Sequence, residues 1–576
     1  MTTTPKDAAP RPSRAQEVAR RLAGPAGSSA LDALGNVVAE ATELEDFRPL
    51  CECLEWRLAN VYWDRGGVMP FVRNDVPYLV NNTGRLSENA AALVFAALAE
   101  MRESLPERVT ILELGAGVGL HARYFLDAFA AICQERRSDL YDRLVYVVTD
   151  RFERTVKGWA LSGMFAEHDA HVALAVSDAR TADDLPHGPP LVVFCNYLLD
   201  VLPSRIVRRT TAGLEQLCVR THVTGGDTAL RLAGLASLDE ARALASSNSI
   251  EDLSRLFPLL PQLDLETDLR PWMPAEGSEN VLAAAIAGEE RVIVNAGALD
   301  CLEALLARIP EAGFILLNDY GPVRSEDVVK HLTVQRFGGS VALGVNFPLL
   351  EHVLTARGLS VVAAEGDEER RVHTRLIGRT LGDKAREMFL TRFRLENDRH
   401  LDAPLDEARG HVAAGRTQEA VVTYRALIER NPRDWQMLGE AAEYVGLQLR
   451  DYSAGIELAR AALERNPWCS AWLWNVLGDC LFCKEKYEEA HEAFSEAERI
   501  DPDDPRTNLN LAYTHSLRGE QGAALAAIAR GLTQDGQARA AYRGRLLEKQ
   551  GQILGLLSER ASREQERLIK RAERFR

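Results

Sequence analysis

Residues 109–120 constrain the fold of this chain more than any other stretch. The apolar run Val109-Thr110-Ile111-Leu112-Glu113-Leu114 reads as a strand. It meets Gly115-Ala116-Gly117-Val118-Gly119, and a helical pattern begins at Leu120. Glycines let a backbone turn sharply and lie directly against a ligand. The helix that follows points its positive N-terminus at the same place. Taken alone, such a turn is weak evidence of a ligand, because a plain strand-to-helix turn also uses glycine.

The rest of the first 395 residues gives that turn its context. Further strands are expected at Leu144–Thr149, Val172–Val176, Leu191–Cys195 and Gly313–Asn318, with helices between the first four of the five, Val109–Leu114 being the first. Strands alternating with helices predict a parallel α/β sheet, whose ligands bind beyond the carboxyl ends of the strands. The spacing Gly115-x-Gly117-x-Gly119 departs from the dinucleotide fingerprint, and Glu113 suits a ligand carrying an ammonium group, as the methionine moiety of S-adenosylmethionine (SAM) does. Asp150, at the end of the second of these strands, is placed to accept bonds from both ribose hydroxyls. Asp178, after the third, either meets the adenine edge or is a plain surface carboxylate. The cofactor-binding set read from the sequence is therefore Glu113, Gly115, Gly117, Gly119, Asp150 and Asp178. The fourth strand leads into Asn196-Tyr197-Leu198-Leu199-Asp200-Val201-Leu202-Pro203. Asn196, Tyr197 and Asp200 are the candidates for the acceptor side. The competing reading is a strand-ending turn with Asp200 as a helix cap. Downstream, residues 214–233 with Gly225-Gly226 at their middle read as a β-hairpin, and residues 238–310 as largely helical.

From about residue 401 the texture changes to helix throughout, and it repeats. Pro432, Pro467 and Pro502 stand 35 residues apart, each 12 residues after a small residue: Ala420, Gly455 and Ala490. A period near 34 in paired helices is the tetratricopeptide-repeat (TPR) signature. Trp474, Leu477, Gly478, Ala490, Phe494, Ala497 and Pro502 complete one full unit. The expected organisation is a flexible segment over 1–45, an α/β domain over 46–395, repeats over 401–537 and a capping helix over 538–576. The basic end Arg567–Arg576 is read as the charged face of that cap rather than a binding tail.

Bulk properties exclude several classes. A net charge of −16 argues against a nucleic-acid binder. No run approaches the length of apolar sequence a membrane helix needs. The first 30 residues are rich in Ala, Arg, Pro and Ser, as transit peptides are, but Asp7 and Glu17 do not suit one. Nine scattered cysteines read as reduced thiols, so a cytoplasmic location is expected. Cys480-x-x-Cys483 and Cys51-x-Cys53 lack partner pairs and read as core packing. No metal site is expected, since no histidine pair has ligand spacing.

The set Ile111–Gly117, Val147–Asp150, Cys195–Pro203 and Ile315–Gly321 resembles the MidA family of methyltransferases, over roughly residues 50–390. That family's fourth-strand motif, Asn-Glu-(Leu/Phe)-(Leu/Phe)-Asp-Ala-(Leu/Met)-Pro, is met at Asn196, Leu198, Leu199, Asp200, Leu202 and Pro203. Its Asp-Tyr-Gly maps onto Asp319-Tyr320-Gly321, and its Asp-Phe onto Asn346-Phe347. A diverged form of its N-terminal motif lies in Pro77–Leu93, with Asn82-Thr83 and Ser87-Glu88. The chain departs from the pattern at Tyr197, where the family has Glu, and at Val80–Gly84. The resemblance implies a Rossmann-like class I methyltransferase domain that uses SAM on a protein or peptide, with arginine as one acceptor. An arginine enzyme needs carboxylates to hold the guanidinium, so the missing Glu puts that acceptor in question. The TPR groove would hold a protein or peptide partner, and the chain could also form a homo-oligomer. Two other functions fit the residues: a silent SAM-binding assembly factor, and a small-molecule methyltransferase.

Overall fold

The computed structural model describes residues 41–72, 75–76, 84–181, 186–286, 290–394, 405–466, 471–533 and 537–574. Val80–Thr83 of the diverged N-terminal motif, and Pro467, lie outside them. Two compact units emerge, one mainly before residue 395 and one mainly after it. The strands of the first are β1 (Thr42–Pro49), β2 (Val109–Leu114), β3 (Leu144–Asp150), β4 (Val172–Val176), β5 (Val192–Asn196), β6 (Arg205–Thr210), β7 (Gly213–Val223), β8 (Leu263–Trp272), β9 (Val292–Val294), β10 (Phe314–Asp319), β11 (Gln335–Phe337), β12 (Ser340–Ala342), β13 (Ser360–Ala363) and β14 (His373–Gly378).

Seven of them form one sheet in the order β13-β14-β10-β5-β2-β3-β4. The five strands from β10 to β4 are parallel. β14 runs antiparallel to both β10 and β13. Every residue of β2 and β3 is buried, because helices cover both faces, as parallel sheets require. On one face Leu112, Leu114, Val193 and Cys195 pack with Leu299 and Leu302 of helix Ala296–Leu306. On the other, the ring of His121, in helix Leu120–Arg136, stands edge-on to Phe194, with centroids 4.9 Å apart. From β2 the chain steps outward to β3 and β4, then returns past β2 to β5. The strand order reverses there, which opens a crevice beyond the carboxyl ends of β2 and β5.

Four strands between β5 and β10 build, together with β1, a second, five-stranded sheet. One edge of β7 pairs with β6 and then β1, and the other edge with β8. Here the structure corrects the sequence reading. The hairpin turn is at Thr211-Ala212, not at Gly225-Gly226. Gly225 takes φ 83° and caps helix Gly226–Leu232, whose Ala229 and Leu230 pack with Leu54 and Leu58. Residues 238–310 are mainly helical, but β8 and β9 also lie within them. β8 alternates leucine with acid at period two, the pattern of a half-covered strand. β1 begins at Thr42, so the ordered sheet starts inside the segment read as a flexible tail.

The second unit is helical. Helices Trp435–Glu443 and Tyr452–Arg465, Ala471–Cys483 and Tyr487–Ile500, and Pro505–Leu517 and Gln521–Thr533 form successive pairs. Small residues set the approach: a methyl on Gly478 would stand 2.6 Å from Phe494 Cδ1. Ala420, Gly455 and Ala490 are buried at matching positions. Helix Gln537–Glu573 closes the array. It buries Leu546 and Ile553, while Leu554, Leu557 and Leu568 stay exposed. Only its first half therefore acts as a cap.

Candidate active site

The glycine turn sits at the crevice. Gly115, Gly117 and Gly119 all take positive φ, 61°, 55° and 78°, a region side-chain-bearing residues seldom enter. A methyl on Gly115 would meet Leu198 Cδ1 at 2.9 Å. Trp159 Nε1–H donates to the Gly117 carbonyl at 3.0 Å, and the Ala116 N–H donates to the Thr149 carbonyl at 2.9 Å. The loop is thus held open by its neighbours. Asp150 ends β3 beside it. Burial pushes its carboxyl up to about 6, while the N–H groups of Phe152, Gly117 and Arg151 favour its charged form. Ser177 follows β4, and its buried hydroxyl has no hydrogen-bond partner among the described residues. An open glycine cradle, an acid at its rim and an orphan hydroxyl beyond are groups that fit an adenosyl ligand. Asp178, by contrast, is already engaged: burial alone would raise its pKa, but Arg180 and Arg151 bring it below the usual range. Arg180 holds its carboxylate at 2.8 and 3.1 Å.

Glu113 is not at the rim. It is fully buried, accepting from the Tyr146 hydroxyl at 2.9 Å and the Asn196 amide at 3.3 Å, with His121 Nδ1 at 3.4 Å. Its carboxylate is thus engaged by Tyr146 and Asn196 within the sheet. Asn196 is likewise committed. Its Oδ1 accepts from Asn318 Nδ2 at 2.8 Å, and Asn318 Oδ1 accepts from the Thr374 hydroxyl at 2.7 Å. Sequence reading gave neither Asn318 nor Thr374 a role at the site; the polar Asn318 closing the apolar Phe314–Leu317 run was the available signal.

After Asn196 the backbone turns left-handed at Tyr197, φ 50°, a strained state for a residue with a side chain. The turn carries Leu199 N–H to Asp319 Oδ2 at 2.7 Å. Asp319, fully buried at the end of β10, meets Asp200 there. Burial, and then the charge of Asp200, hold the Asp319 carboxyl well above the carboxylate range. Burial also lifts Asp200, to about 6, with the Tyr320 hydroxyl and Asp319 acting to favour its charge. Tyr320 faces Asp200 without completing a well-formed bond, and its hydroxyl and Asp200 Oδ1 are both buried without a partner among the described residues. Asp200 caps no helix through its side chain; only a three-residue turn, Leu199–Val201, surrounds it. Asn346 does cap a helix, accepting from Leu349 N–H at 3.3 Å. Gly321, at φ 152°, lets the backbone pass close to Val345, 2.5 Å from N to where a methyl would be.

Elsewhere, Cys480 packs against Gly446 and Gly455, and burial pushes its thiol up to about 12. Cys51 and Cys53 are pushed up to about 11 and about 12 by burial. Asp127, Glu167 and His168 lie close enough to hold a metal ion, a grouping invisible to sequence spacing. Yet His168 already bonds Asp127 at 2.8 Å and Tyr141 at 2.6 Å, so both its nitrogens are in use. No helix among the described residues is long and apolar enough to cross a membrane.

A parallel sheet with this strand order, a glycine cradle at its switch point and an antiparallel β14 beside β10 defines a class I methyltransferase fold. Residues 92–346 match the family described as "Putative S-adenosyl-L-methionine-dependent methyltransferase", and residues 405–445 and 447–505 match the tetratricopeptide repeat. The chain carries a class I SAM-methyltransferase domain, similar to that family and MidA-like, fused to a C-terminal TPR array. Among solved structures, two similar ones are of proteins from Burkholderia thailandensis. One, bound to S-adenosyl-homocysteine, is 15% identical and covers 61% of this chain and 78% of its own, with a TM-score of 0.36. The other, a native structure, is 16% identical, covers 61% and 77%, and has the same TM-score of 0.36. Over the repeats, Pseudomonas aeruginosa pilF is 19% identical, covers 31% and 78%, and has a TM-score of 0.25. No curated protein matches the sequence.

Proposed function

We propose that the chain binds SAM at the glycine cradle and methylates a basic nitrogen of a protein or peptide, an arginine guanidinium being one candidate acceptor. The Asp200–Asp319 pair beneath Tyr320 carries this reading. A carboxyl poised near 6 is charged at neutral pH yet basic enough to accept a proton. When bound, SAM supplies a methyl group on a sulfonium. Asp200 then orients the acceptor nitrogen and takes the proton that nitrogen loses as it is alkylated. Asp319, its carboxyl raised by burial and by the charge of Asp200, steadies the charge on Asp200. Asp150 holds the ribose, and the cradle aligns donor with acceptor, the main source of rate in such a displacement. The TPR array serves partner or substrate recognition, as stacked repeats commonly do.

Tyr197 supports a second reading. It replaces the family's Glu at the mouth of the motif, and a silent SAM-binding assembly factor would lose such a group. One experiment separates the two: transfer of labelled methyl from SAM into a lysate lacking the gene, beside calorimetry with S-adenosyl-homocysteine. Binding with transfer supports the enzyme. Binding without transfer, with transfer gained by Tyr197→Glu, supports the silent factor. Absence of binding sinks both.

A further inference from the structure

We propose that Asn318 and Thr374 are positioning residues for methyl transfer, acting through Asn196 and Tyr197; this rests on the methyltransferase reading and extends it to two strands beyond the motif. Five polar side chains cross the sheet in one row: Thr374 on β14, Asn318 on β10, Asn196 on β5, Glu113 on β2 and Tyr146 on β3. Each bonds to the next, at 2.7, 2.8, 3.3 and 2.9 Å. Strand register makes the row continuous, since Asn318 lies opposite both Asn196 and Thr374. All five are buried. Apolar side chains at these positions would stabilise the sheet at least as well, because buried polar rows gain little net free energy. What a satisfied row provides is orientation.

Asn318 grips the motif twice. Its side chain fixes the Asn196 amide, and its backbone carbonyl accepts from Tyr197 N–H at 2.8 Å. Tyr197 is the strained left-handed residue, and a strained residue persists only where its surroundings hold it. The path from Tyr197 to Asp200 is thereby set by Asn318. Thr374 closes the row with its single hydroxyl proton. Without that donor the Asn318 amide is free to rotate, releasing Asn196.

The test uses the full chain and initial rates of labelled methyl transfer into the lysate, with SAM varied, for wild type, Thr374→Val and Thr374→Ser. Thr374→Val keeps the shape and loses the donor. It will melt somewhat lower, because Asn318 Oδ1 loses its partner, so rates are compared well below all the melting temperatures. The maximal rate should fall about 10- to 100-fold, the scale of a small misplacement of reacting groups. The SAM concentration for half-maximal rate should stay within about twofold, as for a group acting only in the chemical step. Thr374→Ser, which keeps the hydroxyl, should restore most of the rate. Three results overturn the proposal: a wild-type maximal rate in Thr374→Val, a rate falling only with the folded fraction, or no recovery in Thr374→Ser despite wild-type melting. If wild type transfers no methyl, the methyltransferase reading fails and this proposal with it. Transfer by wild type with Thr374→Val unaffected removes the positioning claim alone.

Discussion

Asp319 and Asp200 meet in one buried site at the ends of β10 and β5, and burial raises both carboxyls. Asp319 accepts from the Leu199 and Tyr320 N–H groups at 2.7 and 2.9 Å, yet burial and the neighbouring charge of Asp200 push its carboxyl well above the usual value. Asp200 titrates near 6. Like charges this close disfavour each other's ionisation, so the charge on Asp200 raises Asp319 further.

The pair makes stability pH-dependent in a definite direction. Burial raises the Asp200 pKa in the folded chain from 3.8 to about 6. The stability it contributes is therefore full below the unfolded value and lost as pH rises through about 6. Two units correspond to about 3 kcal/mol at most. Asp200→Asn removes this titration. Its melting temperature relative to wild type should be higher at about pH 8 than at about pH 5. A difference that does not change with pH would place Asp200 in a solvated setting.

Asp200→Asn should also separate turnover from binding. Loss of an oriented base commonly lowers rate about 100- to 10,000-fold, whereas S-adenosyl-homocysteine affinity by calorimetry should change little. Equal methyl transfer by variant and wild type would remove Asp200 from the chemistry.

Cofactor affinity should instead follow the cradle. Gly117→Val places a branched side chain on a residue at φ 55° and should abolish binding of SAM. Asp150→Ala deletes a charged acceptor worth about 1.5–3 kcal/mol, so affinity should weaken about 10- to 100-fold. Glu113→Gln, whose carboxylate faces Tyr146 and Asn196 rather than the rim, should weaken it far less. A larger loss in Glu113→Gln than in Asp150→Ala would reverse these assignments.

In the repeats, Gly478→Ala forces a methyl against the Phe494 ring. Overpacking of this kind costs about 1–3 kcal/mol. A fragment covering residues 401–576 should fold alone, since each repeat packs chiefly on its neighbours. Circular dichroism should show a helical, cooperative melt, with the Gly478→Ala fragment melting lower. A coil spectrum for the unsubstituted fragment would show that the array cannot stand by itself.

The sequence by itself determined what depends on neighbours along the chain. Gly115, Gly117 and Gly119 announced a turn because positive φ is a local demand, and Asp150 followed from its place at the end of a strand. Ala420, Gly455 and Ala490 announced paired helices because each repeat is a local unit. Tertiary structure decided the rest. Glu113 was legible as an acid at the turn, but its direction depends on Tyr146, His121 and on Asn196, 83 residues away. Asn196 looked like an acceptor group and proved to be bonded on both sides, by residues of β2 and β10. The Asp200–Asp319 pair exists only because β5 and β10 lie side by side in the sheet, and strand order is not written in either segment. β8 carried its period-two alternation openly, yet only β7 pairing along its full length made it a strand, since backbone hydrogen bonds between strands require a partner that local sequence does not name.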